Sequence, residues 1–158
     1  MPMFVLIRHA KAEPHRSGDH TRALAARARV DAAAMGGWLH GSGLLLERAV
    51  VSSSSRTRET WQATGLACPD VVFEERVYEA TSEDLRAVIA ETPVDVDVLA
   101  LVGHNPAVER LAWELASDVQ AMPTSAAAVF SVEDWSLAGA VLQQLWTPRG
   151  GAAPSASP

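Results

Sequence analysis

The pair Arg8-His9 combines two side chains that can act together on a phosphate group. A neutral imidazole is a competent nucleophile toward phosphorus, and a hydrogen bond from its other ring nitrogen usually holds it in one tautomer. An arginine fork can bind two oxygens of the same phosphate. The pair directly follows the apolar run 3–7, so we expect a rigid position at the end of a buried strand. This predicts His9 as a candidate nucleophile and Arg8 as a phosphate ligand.

Two other segments carry side chains of the same kind. Arg56 follows the serine run 52–55, and His104-Asn105 follows a strongly apolar stretch. Arg8, Arg56 and a cationic His104 would surround a transferring phosphoryl group, a reaction that depends mainly on positioning and charge stabilisation. A helix that begins near Asn105 would point further N–H groups at the same place.

The predicted elements that must position these residues alternate between strands and helices. Strands are predicted at 3–7, 44–51, 70–74, 94–102, 126–132 and 140–146, and helices at 22–39, 56–66, 82–89 and 106–116. This order predicts an α/β fold, a three-layer α/β/α sandwich with a mostly parallel central sheet and an antiparallel strand near the C-terminus. Ligands of such sheets bind beyond the carboxyl ends of the strands, where all three polar segments should meet.

Length and composition predict how the chain is divided. Its 158 residues suit one domain, for which we predict residues 1–149. Residues 150–158 contain only Gly, Ala, Pro and Ser, which predicts a disordered tail.

Charge and cysteine content limit the possible binding partners and the expected cellular compartment of the protein. The formal net charge is -6, which argues against nucleic acid as a partner. Cys68 is the single cysteine, so no intrachain disulfide can form, and we interpret it as a packing residue in a reducing compartment. The N-terminus has no basic segment typical of a signal peptide, and no apolar run is long enough to span a bilayer. We therefore expect a cytoplasmic protein without a membrane contact.

Motifs for metals and nucleotides are missing from the sequence. It has no His-Glu-x-x-His motif, no paired cysteines and no glycine-rich phosphate loop. We therefore predict neither a metal nor a cofactor, and the sequence disfavours a kinase or an NTPase.

Three motifs in chain order resemble those of the histidine phosphatase superfamily, the group that includes cofactor-dependent phosphoglycerate mutases. They are Leu6-Ile7-Arg8-His9-Ala10, Ser52-Ser53-Ser54-Ser55-Arg56-Thr57-Arg58-Glu59-Thr60 and Leu101-Val102-Gly103-His104-Asn105-Pro106. Segments 77–80 and 122–125 resemble in particular the small SixA-type phosphohistidine phosphatases. The resemblance extends over about residues 3–146.

The resemblance implies a role for each matching residue. His9 would be the nucleophile that becomes phosphorylated, and Arg8, Arg56 and His104 would bind the phosphate without a metal. Glu79 lies near the position of the acid that protonates the leaving group in larger members, although small members lack the longer motif around it. A phosphohistidine substrate needs less help from an acid, so the substrate would be phosphohistidine, free or on a protein, or a small phosphorylated compound.

Some positions depart from the family pattern. Ser53 stands where the family often has Pro, and Glu59 where it often has Gln. Glu59 could orient Arg56 or, if it faces the pocket, weaken phosphate binding. Segment 19–28 lacks an Asp, a Pro and a Gly of the family pattern, which affects the predicted shape of the loop before the first helix.

Other interpretations of the same residues stay open. His9 could be a structural strand-end histidine, His104 part of a helix cap, and Arg56 a surface residue. Lys11, His15 and His20 follow the nucleophile and could either line the rim of the pocket or be solvated.

Two other functions are compatible with the motifs. One is a phosphate- or phosphohistidine-binding module with little turnover, suggested by Glu59 and by the missing acid. The other is a mutase-like phosphotransferase, which the short chain disfavours because the mutases carry long insertions.

Overall fold

A seven-stranded sheet forms the centre of the protein in the computed structural model, which describes residues 1–14 and 18–154. The strands are β1 (Met3–Arg8), β2 (Arg48–Ser52), β3 (Asp70–Glu74), β4 (Val98–Gly103), β5 (Ala127–Ser131), β6 (Val141–Thr147) and β7 (Gly151–Pro154). The α-helices are α1 (Ala28–Gly41), α2 (Ser55–Thr64), α3 (Ser82–Ala90) and α4 (Ala107–Leu115), and a short 3-10 helix spans Glu75–Val77.

The strand order is β3-β2-β4-β1-β5-β6-β7. The first four strands are parallel to one another, and β5, β6 and β7 each run antiparallel to their neighbour. The predicted α/β fold with an antiparallel C-terminal part is thereby confirmed, and that part contains three strands.

The central strand β1 is buried on both faces. Phe4 and Leu6 belong to the core that includes residues of α3 and α4, whereas Val5 and Ile7 belong to the core that includes residues of α1 and α2. Successive side chains of a strand point to opposite faces, so this apolar run requires helices on both sides. The three-layer arrangement follows from that requirement.

Helix α1 packs so closely against α2 that Gly36 has no room for a side chain. A Cβ on Gly36 would lie 2.0 Å from the carbonyl oxygen of Thr64, at the end of α2. Backbone oxygens cannot be displaced cheaply, so glycine is required here. This contact fixes the position of α2, whose first turn carries Arg56.

Three predicted elements begin at least four residues later in the structure. The helix predicted at 22–39 begins only at Ala28, because the preceding residues pair with the loop after β1: Ala25 N–H donates to the Lys11 carbonyl at 2.9 Å, and Leu24 bridges Ala12. The strands predicted at 44–51 and 94–102 lose their first four residues, which include the exposed Leu45 and Val94.

The predicted disordered tail needs a correction over residues 151–154. They form β7, which pairs with the edge strand β6. The unpaired backbone groups of an edge strand can bind any extended segment, so low hydrophobicity does not prevent pairing. Residues 155–158 lie outside the described part of the chain.

No helix in the described part of the chain is long and apolar enough to cross a membrane.

Candidate active site

His9 directly follows β1, and backbone hydrogen bonds on both sides hold it in place. Its N–H donates to the Gly103 carbonyl at 3.1 Å, and its carbonyl accepts from Ser125 N–H at 3.0 Å. The ring is 7% exposed. Nδ1 lies 2.6 Å from the carbonyl of Ala10, which can only accept, so Nδ1 carries the proton. The lone pair is therefore on Nε2, for which no hydrogen bond is found among the described residues.

The surroundings of His9 keep its ring neutral. Burial lowers the pKa of His9 to about 4, and the charges of Arg56 and Arg8 act in the same direction. The hydrogen bond to Ala10 opposes this shift without cancelling it. At neutral pH the ring is thus an uncharged nucleophile beside cationic groups.

His104 follows the neighbouring strand β4, and its ring centroid lies 5.1 Å from that of His9. Parallel strands end at one edge of the sheet, which explains the approach. Nε2 of His104 lies 2.7 Å from the hydroxyl of Ser52, the last residue of β2. Three adjacent strands therefore end at this site.

The protonation of His104 differs from the prediction of a cation. Burial lowers the pKa of His104 to about 3, and the charges of His9, once that ring is protonated, and of Arg56 add to the effect. The ring is thus neutral in the free protein. If the Ser52 hydroxyl donates to Nε2, the ring proton is on Nδ1, which is buried without a partner among the described residues.

The guanidinium of Arg8 lies at the end of β1 and is half-buried. Its Nη1 donates to the carbonyl of Met122 at 3.2 Å. Burial lowers the pKa of Arg8 and the charge of Glu109 raises it, yet an arginine remains a cation. Arg8 therefore places a fixed positive charge next to the nucleophile.

Arg56 lies in the first turn of α2, and Asp19 holds its guanidinium. Its Nη1 donates to the Asp19 carbonyl at 2.7 Å, and its Nη2 donates to Oδ2 of the same residue at 3.0 Å. The helix is capped by Ser54, whose hydroxyl accepts from Thr57 N–H. Only 6% of Arg56 is exposed. One N–H of each Nη is thus occupied, and the Nε–H remains available.

Tyr78 completes the support of Arg56 from the turn after the 3-10 helix. Its hydroxyl donates to Oδ2 of Asp19 at 2.6 Å. This hydrogen bond is the main reason why the pKa of Asp19 falls to about 2 and that of Tyr78 rises to about 12. Asp19 is therefore an anion, and Tyr78 a neutral donor, across the physiological pH range.

Unpaired buried donors surround His9. Nε of Arg8, Nε of Arg56 and Nδ1 of His104 have no hydrogen-bond partner among the described residues. A buried donor left unpaired costs about 1–3 kcal/mol, so such groups normally find a partner. Two guanidinium donors and one imidazole donor suit an anion with several oxygens.

Asn105 and Glu79, two further candidates from the sequence, are not among the unpaired donors near His9. The Asn105 side chain accepts from Glu109 N–H in the first turn of α4 at 3.2 Å and donates to the Met122 carbonyl at 3.2 Å, so it connects α4 to the loop that contacts Arg8. Glu79 is exposed in a turn with φ 54°. Its side chain forms no hydrogen bond with the described residues.

Glu59 follows neither of the two expected alternatives. Its carboxylate pairs with Nη2 of Arg29 on α1 at 2.6 Å, on the outside of the α1–α2 pair. It does not bond to Arg56, whose side-chain partner is Asp19. The substitution of the family's usual Gln is thus absorbed by a surface ion pair.

The remaining candidates lie around the site. Lys11 and His20 are exposed, and His20 contacts Ser53 through Nε2 at 3.0 Å and packs edge-on against Tyr78. Ser53, which stands where the family often has Pro, therefore contacts a histidine at the edge of the pocket. His15 lies outside the described residues. Cys68 is half-buried on the far side of α2, where burial raises the pKa of its thiol.

Among the described residues, no group of three or more His, Cys, Asp or Glu side chains is arranged to hold a metal ion.

Sequence reasoning missed the residues that support the pocket from loops. Ser52 orients His104, and Asp19 with Tyr78 orients Arg56. Asp19 had a signal, because it opens the segment that matches a family pattern. Ser52 and Tyr78 also lie in segments that resemble the family, but nothing distinguished their hydroxyl groups, because a hydroxyl group beside a strand or in a turn is common in sequences.

Mycobacterial proteins are similar in sequence to this chain. No protein-family model matches the chain. The chain is 36% identical over 112 residues to the uncharacterized protein Rv1276c of Mycobacterium tuberculosis, covering 70% of each chain. It is 32% identical over 114 residues to the uncharacterized protein ML1117 of Mycobacterium leprae, covering 69% of this chain and 70% of that one.

Similar solved structures identify the family. SixA of Nakamurella multipartitia superposes with a TM-score of 0.87 at 29% identity, covering 93% of this chain and 96% of that one. SixA of Agrobacterium tumefaciens gives 0.80 at 25% identity, with 94% and 99% covered. The protein histidine phosphatase SixA complexed with tungstate gives 0.78 at 24% identity, with 93% and 97% covered, and shares the fold. With the three motifs meeting at one sheet edge, the chain belongs to the histidine phosphatase superfamily, in its SixA-type branch.

Proposed function

We propose that this protein is a phosphatase in which Nε2 of His9 accepts the phosphoryl group and forms a phosphohistidine intermediate. The observation that carries the proposal is the hydrogen bond of 2.6 Å between Nδ1 of His9 and the Ala10 carbonyl. It leaves the lone pair on Nε2, and a pKa of about 4 keeps the ring uncharged at neutral pH.

Charge stabilisation comes from the unpaired donors around His9. Nε of Arg8, Nε of Arg56 and Nδ1 of His104 supply N–H groups for the equatorial oxygens of the phosphoryl group. They are held by the protein before the substrate binds, so little reorganisation is needed during the reaction. Because two guanidinium charges already neutralise the phosphate, we propose that the reaction needs no metal.

Phosphohistidine is the substrate class that the site favours. In the first step Nε2 of His9 forms a bond to phosphorus while the substrate N–P bond breaks, and that electron pair leaves with the substrate nitrogen. A phosphohistidine protonated on its other ring nitrogen releases neutral imidazole, so no acid is required. Glu79, the candidate acid, is exposed and forms no hydrogen bond with the described residues, which supports an N–P substrate over a phosphomonoester.

Water completes the cycle. It forms a bond to the phosphorus on His9 while the N–P bond breaks, and the electron pair returns to Nε2. Inorganic phosphate leaves with both hydrogens of the water. His9 keeps its Nδ1 proton on the Ala10 carbonyl throughout, so the ring is ready for the next substrate.

A binding module without turnover is less well supported, because one of the two observations that suggested it no longer applies. Glu59 could have opposed phosphate binding, but its carboxylate is paired with Arg29 on α1. The other observation, the missing acid, is compatible with turnover of an N–P substrate.

The test compares phosphate release from phosphohistidine and from an aryl phosphate, with and without EDTA. We expect the wild type to hydrolyse phosphohistidine faster and EDTA to have no effect. His9→Ala should reduce both activities to background while the protein stays folded by circular dichroism. His40→Ala is the matched control, since His40 is exposed at the end of α1.

Each outcome has a consequence. Full activity of His9→Ala would exclude the proposed nucleophile. Binding of phosphate without turnover of either substrate would support the binding module instead. Loss of activity in EDTA that added metal restores would overturn the metal-independent reaction.

A further inference from the structure

Arg22 is a cation beside the site that none of the three motifs contains. It lies in the segment predicted as helix, which instead pairs with the loop after β1. Two backbone bonds make this pairing: Glu13 N–H donates to the Ala23 carbonyl at 2.7 Å, and Ala25 N–H donates to the Lys11 carbonyl at 2.9 Å. Arg22 is therefore held near the nucleophile by the backbone on its C-terminal side.

The contact between Arg22 and Asp19 is loose. Nη2 of Arg22 lies 3.5 Å from Oδ1 of Asp19, and the other carboxylate oxygen serves Arg56 and Tyr78. Half-exposed ion pairs of this kind contribute little to stability. By contrast, Arg29 and Glu59 approach to 2.6 Å. Asp19 alone therefore does not explain the position of Arg22.

The Nε–H donor of Arg22 lacks a ligand. Its Nε is buried and has no hydrogen-bond partner among the described residues, like Nε of Arg8 and of Arg56. The positive charge of Arg22 is also close enough to His9 to lower the pKa of that ring. Four arginines in the described part of the chain have a buried Nε–H without a partner. Arg48 lies at the start of β2, away from the site, whereas the charges of Arg8, Arg22 and Arg56 all act on His9.

We propose that Arg22 is a fourth phosphate-binding residue, whose guanidinium binds an oxygen of the phosphoryl group together with Arg8, Arg56 and His104. This inference rests on the proposed function. Arg22 would thus add a cation from the segment that pairs with the loop after β1 to the phosphate-binding residues named above. Asp19 then connects Arg22 and Arg56, because each of its carboxylate oxygens faces one guanidinium.

The test measures tungstate binding by calorimetry, since tungstate resembles phosphate in shape and charge. Arg22→Gln should weaken binding about tenfold, the loss expected for one charge-assisted hydrogen bond. Arg22→Lys keeps the charge without the fork and should fall between Arg22→Gln and the wild type. Arg27→Gln is the matched control, because Arg27 is exposed on the same segment and should bind like the wild type.

A second measurement tests whether the Arg22 charge lies close enough to the nucleophile to meet the same phosphate. Titration of His9 by NMR should show a higher pKa in Arg22→Gln than in the wild type, because a nearby cation has been removed. Thermal unfolding shows whether each variant is folded, and Arg22→Lys keeps the test valid if Arg22→Gln is not.

Two results would overturn the inference. If Arg22→Gln, or Arg22→Lys where only that variant folds, binds tungstate as tightly as the wild type while Arg56→Gln does not, Arg22 only anchors the loop and the proposed function stands. If the wild type itself binds neither tungstate nor phosphate, the proposed function and this inference both fail.

Discussion

The two sides of the site are held in place by different means. His9 and His104 follow neighbouring parallel strands, where backbone hydrogen bonds of the sheet fix their positions. Arg56 depends on the side chains of Asp19 and Tyr78, which come from a loop and a turn. Asp19 is 38% exposed, whereas both histidines are almost completely buried.

We expect the two sides to contribute to different steps, the strand side to the chemical step and the loop side to substrate binding. A nucleophile needs a constant tautomer and position, which backbone bonds in a buried sheet provide. The guanidinium of Arg56 depends instead on side chains that a loop and a turn must bring together. We therefore expect substitutions on the strand side to lower kcat strongly, and substitutions on the loop side mainly to raise KM.

After His9→Ala, which should abolish activity, the largest effect is expected for His104→Ala. It removes a donor that we place on the phosphoryl oxygens, and loss of one such donor typically lowers kcat by about 100-fold or more. Steady-state kinetics with phosphohistidine measures it, with His40→Ala as the control. An unchanged kcat would mean that His104 serves only the packing of the strand end.

The next prediction concerns pH. Since burial lowers the pKa of His9 to about 4, the ring should be about nine-tenths neutral at pH 5, where an ordinary histidine is almost fully protonated. NMR titration of the free protein should therefore place the midpoint of His9 near 4, and tungstate should raise it because an anion favours imidazolium. A midpoint near the ordinary value would contradict the neutral nucleophile.

The same shifts predict how stability depends on pH. Both histidines have folded-state pKa values below those of the unfolded chain, so the unfolded state binds more protons as pH falls below about 6.5. The free energy of unfolding should decrease from there toward pH 4, by at most about 1.4 kcal/mol per pH unit for each histidine. His9→Ala should make this decrease smaller, which denaturant titrations at several pH values can measure.

On the loop side, Asp19→Ala should have a smaller effect. It removes one of the two bonds that hold the end of the Arg56 guanidinium, so we expect KM to rise about fivefold to tenfold while kcat changes less. Asp118→Ala is the control, since Asp118 is exposed after α4. A lower KM in Asp19→Ala would show that its negative charge repels the substrate more than it orients Arg56.

The smallest effect is expected for Glu59→Gln, which restores the residue common in the family. Glu59 pairs with Arg29 at the surface, so activity should stay within about twofold and the free energy of unfolding should change by less than about 1 kcal/mol. A large gain in activity would mean that the carboxylate acts on the pocket after all.

Sequence patterns predicted the strand side better than the loop side for physical reasons. Arg8, His9 and His104 follow apolar strands, and the carboxyl ends of parallel strands must meet, so their approach follows from the fold. Arg56 was predictable because Ser54 caps the helix directly before it. Secondary structure alone thus determines where Arg8, His9 and His104 lie and where the backbone of Arg56 lies, but not the position of the Arg56 guanidinium.

The loop side required tertiary contacts that no local pattern contains. The alanine-rich composition of 22–27 favours a helix, but backbone pairing with the loop after β1 prevents it. The same pairing carries Arg22 toward the site. The tail at 151–154 was missed in a similar way, because an unpaired edge strand supplies partners that its composition does not reveal.

Trapping of the phosphorylated enzyme tests the central claim most directly. The protein would be mixed with phosphohistidine, quenched in base within its first turnover, and digested for mass spectrometry. We predict a phosphate on His9 that is stable in base, labile in acid and absent from His9→Ala. Turnover with a phosphate on another residue, or with no phosphorylated enzyme detectable under single-turnover conditions, would contradict the claim.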